Sequence, residues 1–168
     1  KITVIIGASG AGKSTLLHIL SGLDRPDKGK VYINDNDISK FSDNQLANFR
    51  NKHIGFVFQF HHLLPEFSAA ENVAIPLMIN GTSLEKAINK STELLKQVGL
   101  EDRINHKPAE LSGGEQQRIA VARALINEPD IIFADEPTGN LDSVNSEILN
   151  NFFVDLRNKF KKTFIVVT

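Results

Sequence analysis

The chain has 168 residues, 41% hydrophobic and 23% charged, a length and balance that suit one ordinary globular domain and exclude a disordered segment. Its formal net charge is −1 with no block of like charges, so it carries no electrostatic footprint for nucleic acid or an anionic membrane surface. Zero cysteines exclude disulfides and thiolate metal sites, and the most apolar windows, "AIPLMI" and "IIFA", fall far short of the ~20 residues of a membrane span.

The first predicted element is a short β-branched strand, Ile2 to Ile6, followed at once by Gly7 to Ser14, "GASGAGKS", and then by helix from "TLLHIL". G-x-x-x-x-G-K-S between a strand and a helix is the pattern of a phosphate-binding loop. Gly7, Gly10 and Gly12 let the backbone turn its N–H groups inward, and the positive end of the following helix adds to the field. The expected nucleotide-binding set is therefore Gly7, Ala8, Ser9, Gly10, Ala11, Gly12, Lys13, Ser14 and Thr15. Lys13 reaches the β and γ phosphates, and the Ser14 hydroxyl is suited to Mg²⁺.

Next come a turn at Gly22 and "DRPDKGK", a strand at "KVYIN", a tight polar turn at "NDND", and a helix from about Asp43 to Asn51. "IGFVFQ" reads as a buried strand ending on Gln59, whose side chain at a strand exit can contact both Mg²⁺ and a water. Between 60 and 110 the pattern is helical. Ser68 to Glu71 and Thr82 to Glu85 have capping-box spacing, Pro76 shortens or kinks the first helix, and Gly99 ends the second.

"SGG", Ser112 to Gly114, precedes the helix "EQQRIAVARALI" and so offers a second helix N-terminus with bare amides and a hydroxyl. It is either a plain serine N-cap or a second anion site. As an anion site it belongs to the helical insertion and not to the sheet edge, so two copies arranged head to tail are expected to share each nucleotide. "IIFADE", Ile131 to Glu136, places two carboxylates at a strand exit: Asp135 to hold Mg²⁺ and Glu136 to deprotonate the attacking water. A helix from about Ser143 to Phe160 and the strand "TFIVV" follow. Strands alternating with helices predict an α/β fold with a mainly parallel sheet flanked by helices, interrupted by a helical subdomain. A strand at either end predicts a piece of a longer chain, truncated at both ends.

In this order the motifs resemble the ATP-binding-cassette family over essentially the whole chain. "GASGAGKST" is similar to its Walker A loop, Gln59 to its Q-loop glutamine, "LSGGEQ" to its signature, "IIFADE" to its Walker B strand, and "NLD", Asn140 to Asp142, to its D-loop. The resemblance implies a P-loop NTPase core over 1–59 and 115–168, a helical subdomain over 60–114, and hydrolysis of ATP with Mg²⁺. It makes Glu136 and Gln59 the catalytic pair, puts Ser14, Gln59 and Asp135 on the metal, and gives Ser112, Gly113, Gly114 and Asp142 to the nucleotide across an ATP-dependent homodimer. The family's adenine-stacking aromatic and switch histidine would fall just outside these residues.

Within the family, "FQFHHLLPEFSAAENVAIPLM", "SGLDRPDKGKVYIND" and "ADEPTGNLD" look most like the ATPases of lipoprotein-releasing transporters, with macrolide-export and cell-division ATPases as close alternatives. That likeness implies a peripheral protein on the cytoplasmic face of the inner membrane, bound to integral permease subunits through a groove that includes His61 to Phe67. Leu63, Leu64 and Phe67 suit local core as well as a groove. Adjacent His61 and His62 diverge and have no evident third ligand, which argues against a metal. A DNA-directed role is disfavoured by the short insertion, which has neither cysteine nor sustained heptads. A mechanical pull on a membrane partner would use the same catalytic residues and stays open beside transport.

Overall fold

A computed structural model describes residues 1–139 and 143–168; Asn140 to Asp142, and with them the expected contact of Asp142, lie outside the described residues. Strand β1 (Ile2–Ile5) leads into α1 (Lys13–Leu20), and a hairpin of β2 (Tyr32–Ile33) and β3 (Asn36–Asp37) precedes α2 (Asp43–His53) and β4 (Ile54–Val57). Then come α3 (Ala69–Ile79), α4 (Leu84–Gln97), α5 (Gly113–Leu125), β5 (Ile131–Asp135), α6 (Ser143–Phe160) and β6 (Thr163–Val167).

The main sheet has the order β1-β6-β5-β4, and every neighbouring pair is parallel. All four strands therefore end at one edge, from which the glycine loop, the Gln59 segment and Asp135 all depart. The predicted cover on both faces is present, and alternation along β5 shows how it arises. Ile132 and Ala134 join Val57, Phe164 and residues of α3 to α6 in the largest core cluster, whereas Phe133 packs with Leu17 of α1 and Val167 on the other face. In α6, Leu149, Phe153 and Leu156 recur at helical spacing and enter the large cluster, with Phe153 edge-on to Phe164 at 5.6 Å.

Helix α5 joins the two parts of the molecule. On one side it packs so closely on β4 that a Cβ on Gly55 would stand 2.4 Å from the Ala124 carbonyl oxygen. On the other it contacts α3 and α4, so one apolar cluster runs from Val73 and Leu95 through Ile119 to Ile132. The helical insertion thus shares its core with the sheet.

Several local expectations are corrected. "KVYIN" pairs only at Tyr32 and Ile33, and "NDND" is half turn and half strand: Asn34 and Asp35 take φ of 47° and 63°, and Asn36 and Asp37 pair back. Asn and Asp tolerate that left-handed pair, which is the geometry of a two-residue hairpin. The strand expected to end on Gln59 stops at Val57, opposite Ala134; β5 continues to Asp135 against β6 while the segment after β4 leaves the sheet. Ser83, not Thr82, is the N-cap of α4, and its side chain makes no cap bond. Ser68 does form the expected box with Glu71, Pro76 lies within an 11-residue α3, and Gly99 follows α4 at φ 73°.

Candidate active site

At the sheet edge, Gly10 and Gly12 take φ of 77° and 87°, a region that costs residues with a Cβ, and Gly12 is the N-cap of α1 with no side-chain cap. The first N–H groups of α1 are thus left without a side-chain partner from the cap, the condition for receiving an anion. Lys13 turns back over the loop, its Nζ donating to the carbonyls of Gly7 at 2.8 Å and Ala8 at 3.2 Å and lying 3.6 Å from Glu136 Oε1. Its charge is held among three oxygens of the chain itself.

The two strand-exit carboxylates meet this loop. Ser14 Oγ donates to Asp135 Oδ1 at 2.9 Å, across 121 residues of sequence. Glu136, one residue beyond β5, has φ 40°, a strained value for a residue with a side chain and one that clusters at functional sites. Its N–H donates to the Val167 carbonyl at 3.0 Å, which fixes the turn. Gln59 reaches the same place: a Cβ on Gly139 would lie 2.9 Å from Gln59 Nε2 and 3.4 Å from Glu136 Oε2. Ser9, Gly10, Gly12, Lys13, Ser14, Thr15, Gln59 and Glu136 line one cleft of about 480 Å³. One neighbour was missed from sequence: His18, one turn along α1 from Ser14, brings Nε2 to 4.0 Å from Asp135 Oδ2. The i, i+4 spacing of Ser14 and His18 is the signal that could have found it.

None of Ser112, Gly113 or Gly114 lines that cleft. Ser112 caps α5 through a full capping box: its Oγ accepts from the Glu115 N–H, and Glu115 Oε2 accepts from both the N–H and the hydroxyl of Ser112 at 2.8 Å. Of the two readings offered for this turn, the serine N-cap is present as a full capping box. The sequence reading offers Ser112 as a plain N-cap; the S-x-x-E spacing from 112 to 115 is the signal that extends it to a full capping box. Arg103 Nε holds the other Glu115 oxygen at 2.7 Å. The bonds from Ser112, with help from Arg103, hold the Glu115 carboxyl down to about 2.

The segment after Gln59 is tied to this second turn. His61 Nδ1 pairs with Gln116 Oε1 at 3.2 Å, and Gln116 Nε2 donates to the carbonyls of Pro108 and Leu111. Arg123 donates to the carbonyls of His61 and His62 at 2.7 and 2.8 Å. Burial pushes the His61 imidazole below its ordinary value, against a raising contribution from the Gln116 bond. The buried Asn72 fixes the rest of the segment, accepting from Leu64 N and donating to the carbonyls of Leu64, Phe67 and Ser68. Leu63 packs on the core, while Phe60, Leu64 and Phe67 remain exposed. Nearby, an apolar groove of about 340 Å³ is lined by Leu23, Phe56, Phe58, Pro76 and Ile79 among others.

Comparison with known proteins agrees with this geometry. Residues 1–139 match the family model described as ABC transporter. The lipoprotein-releasing system ATP-binding protein LolD of Cytophaga hutchinsonii is 58% identical over all 168 residues, which span 77% of its length. Its counterpart in Bacteroides fragilis is 55% identical, with 100% of this chain and 78% of that protein covered. Among solved structures, a dimeric ATP-binding cassette in a post-hydrolysis state bound to ADP and Pi superposes with a TM-score of 0.86 at 43% identity, covering 99% of this chain and 73% of that one.

Proposed function

The chain belongs to the ABC transporter family, and on that premise we propose that it powers the release of lipoproteins from a membrane by hydrolysing ATP at the cleft between the glycine loop and β5. It is an ATP-hydrolysing enzyme of the ABC type, and it associates as a cassette dimer. The observation that carries the site assignment is the convergence of Lys13, Ser14, Asp135 and Glu136, which come from two strand exits 121 residues apart.

On this reading the N–H groups of Gly7 to Thr15 surround the phosphates, and Lys13 exchanges the carbonyls of Gly7 and Ala8 for β- and γ-phosphate oxygens. Ser14 and Asp135 present adjacent oxygen donors, a hard pair that fits Mg²⁺, with Gln59 beside them. Mg²⁺ bound there with ATP would neutralise charge on the terminal phosphates. Glu136 takes a proton from water as the water oxygen bonds to the γ-phosphorus and the bond to the β-phosphate oxygen breaks, giving ADP and phosphate. Gln59 orients that water and reports γ-phosphate occupancy along 60–67.

Ser112, Gly113 and Gly114 serve the nucleotide held on the other copy. The exposure of Ser112 and Gly113, and the exclusion of all three from the chain's own cleft, support the head-to-tail arrangement. Asp142 belongs to the same interface on the family resemblance. The division into a core of 1–59 and 115–168 and a helical subdomain of 60–114 is part of the same reading. Among the described residues no helix is long and apolar enough to cross a membrane. Attachment to the cytoplasmic face of the inner membrane then runs through permease subunits. Exposed Phe60, Leu64 and Phe67 support docking through the 60–67 segment, although the apolar groove is lined by Phe56, Phe58, Pro76 and Ile79 and not by His61 to Phe67.

The test is to co-purify the intact protein with its membrane partner, reconstitute both in liposomes loaded with lipoprotein, and add ATP. ATP-dependent release of lipoprotein is expected. Hydrolysis without release, or release of a small molecule instead, would favour the cell-division or macrolide-export alternative.

A further inference from the structure

Ser112 does not have a free hydroxyl proton. Glu115 Oε2 accepts from that hydroxyl and from the Ser112 N–H, both at 2.8 Å, so the turn expected to receive a phosphate already holds a carboxylate of its own. A carboxylate within one turn of Gly113 and Gly114 repels an arriving phosphate and cancels the positive helix end that would attract it. Arg103 is the counterweight. Its Nε lies 2.7 Å from Glu115 Oε1, on the side of the carboxylate away from Ser112. The 3₁₀ turn Glu101–Arg103 carries it there, with the Arg103 N–H bonded to the carbonyl of buried Leu100 at 3.0 Å.

We propose that Arg103 is a positioning residue for the ATP received from the partner subunit: by neutralising Glu115 and holding it against the cap, it leaves Ser112, Gly113 and Gly114 able to accept a phosphate. This rests on the reading that Ser112 to Gly114 serve the other copy's nucleotide. Without Arg103 the carboxylate's charge stands uncompensated beside the helix start, while both Ser112 donors stay on it as they do with Arg103 present. The cap would survive while the anion site weakens, so the loss falls on ATP engagement and not on the chemical step at Glu136.

The experiment is steady-state ATP hydrolysis by the intact protein in its membrane complex, comparing Arg103→Ala, Arg103→Lys, Arg103→Ala with Glu115→Gln, and Ser112→Arg. Arg103→Ala should raise the half-saturating ATP about tenfold with kcat within about twofold, and the effect should shrink at high salt because it is a charge effect. Arg103→Lys should recover most of it. Glu115→Gln in the Arg103→Ala background should bring the half-saturating ATP back toward wild type, since the repelling charge is gone; a merely structural role for Arg103 would not be relieved that way. Unchanged half-saturation in Arg103→Ala, or a loss that Glu115→Gln leaves in place, would overturn the proposal. Ser112→Arg separates the two levels: if it is inactive while Arg103→Ala is normal, only the positioning role fails, and if it is fully active the shared-site reading itself fails.

Discussion

The molecule has two glycine turns that start helices, and they are finished differently. At α1 the N-cap is Gly12, with no side-chain cap, and the nearest cation, Lys13, comes from the same loop and lies across from Glu136. At α5 the N-cap is Ser112, closed by Glu115, and the nearest cation is brought in from Arg103. The first turn is left open and is met within one subunit by a hydroxyl–carboxylate pair and a candidate base. At the second the hydroxyl–carboxylate pair, Ser112 with Glu115, is the cap itself, and among the described residues neither Asp135 nor Glu136 pairs with it. The first turn has within one subunit the groups the proposed chemistry needs, whereas the second, capped by Glu115, would on the proposed reading complete a site held on the other copy.

The largest expected effect sharpens the first half of that contrast. Lys13→Ala should abolish ATP binding by the intact protein, measured by titration with a fluorescent nucleotide, because it removes the one point charge against the terminal phosphates. Undiminished affinity would remove the open turn from the nucleotide site. Next, Glu136→Gln keeps shape but not basicity, so turnover should fall by about 10²- to 10⁴-fold while binding survives and ATP traps a dimer visible by size exclusion. Normal hydrolysis would mean that the base is another group.

A matched pair of substitutions compares the turns directly. Gly12→Ala forces a Cβ into a left-handed residue at φ 87° and should cost about 1–2 kcal/mol in a urea melt, with ATP binding weakened as well. Gly113 has open space around its Cβ position and no such strain, so Gly113→Ala should hold or raise stability by up to about 1 kcal/mol. If Gly113 receives the partner's nucleotide, hydrolysis by this variant should nonetheless fall, because the methyl group adds bulk at the helix start. Equal stability losses in the two variants would erase the distinction.

The smallest effect is a pH dependence at the second turn. Glu115 is held at about 2 in the folded chain against an ordinary 4.5, so its contribution to the α5 cap is fully present above about 4.5 and is lost as pH falls toward about 2. The thermal midpoint of wild type should therefore exceed that of Glu115→Gln at neutral pH, with the gap closing over that acidic window. A gap independent of pH would mean that the charge does not stabilise the cap.

Much of this was legible in the sequence because the signals were local. The strand–loop–helix around Gly7 to Ser14, the apolar runs of β5 and β6 and the Ser68 capping box each depend on a few adjacent residues. The convergence of Ser14 with Asp135 was inferable once both were placed at strand exits of one parallel sheet. What was not legible depends on partners far away in sequence. Gln59 lies beyond its strand because β4 leaves its pairing with β5 after Val57 and Ala134, and no pattern in "IGFVFQ" reports that. His61 meets Gln116, and Arg103 meets Glu115, only through the fold of the helical insertion. The two-residue β2–β3 hairpin is too short for alternation to reveal.

The central claim is that the capped turn serves the other copy's nucleotide, and complementation tests it most directly. A Ser112→Arg subunit and a Lys13→Ala subunit of the intact protein, mixed in the membrane complex, place both defects in one composite site and leave the other composite site whole. Hydrolysis above that of either mutant alone is expected, with heterodimer formation confirmed independently and one intact site able to turn over. If each subunit used its own Ser112 turn, neither would hold a working site, and a flat mixing curve would contradict the account.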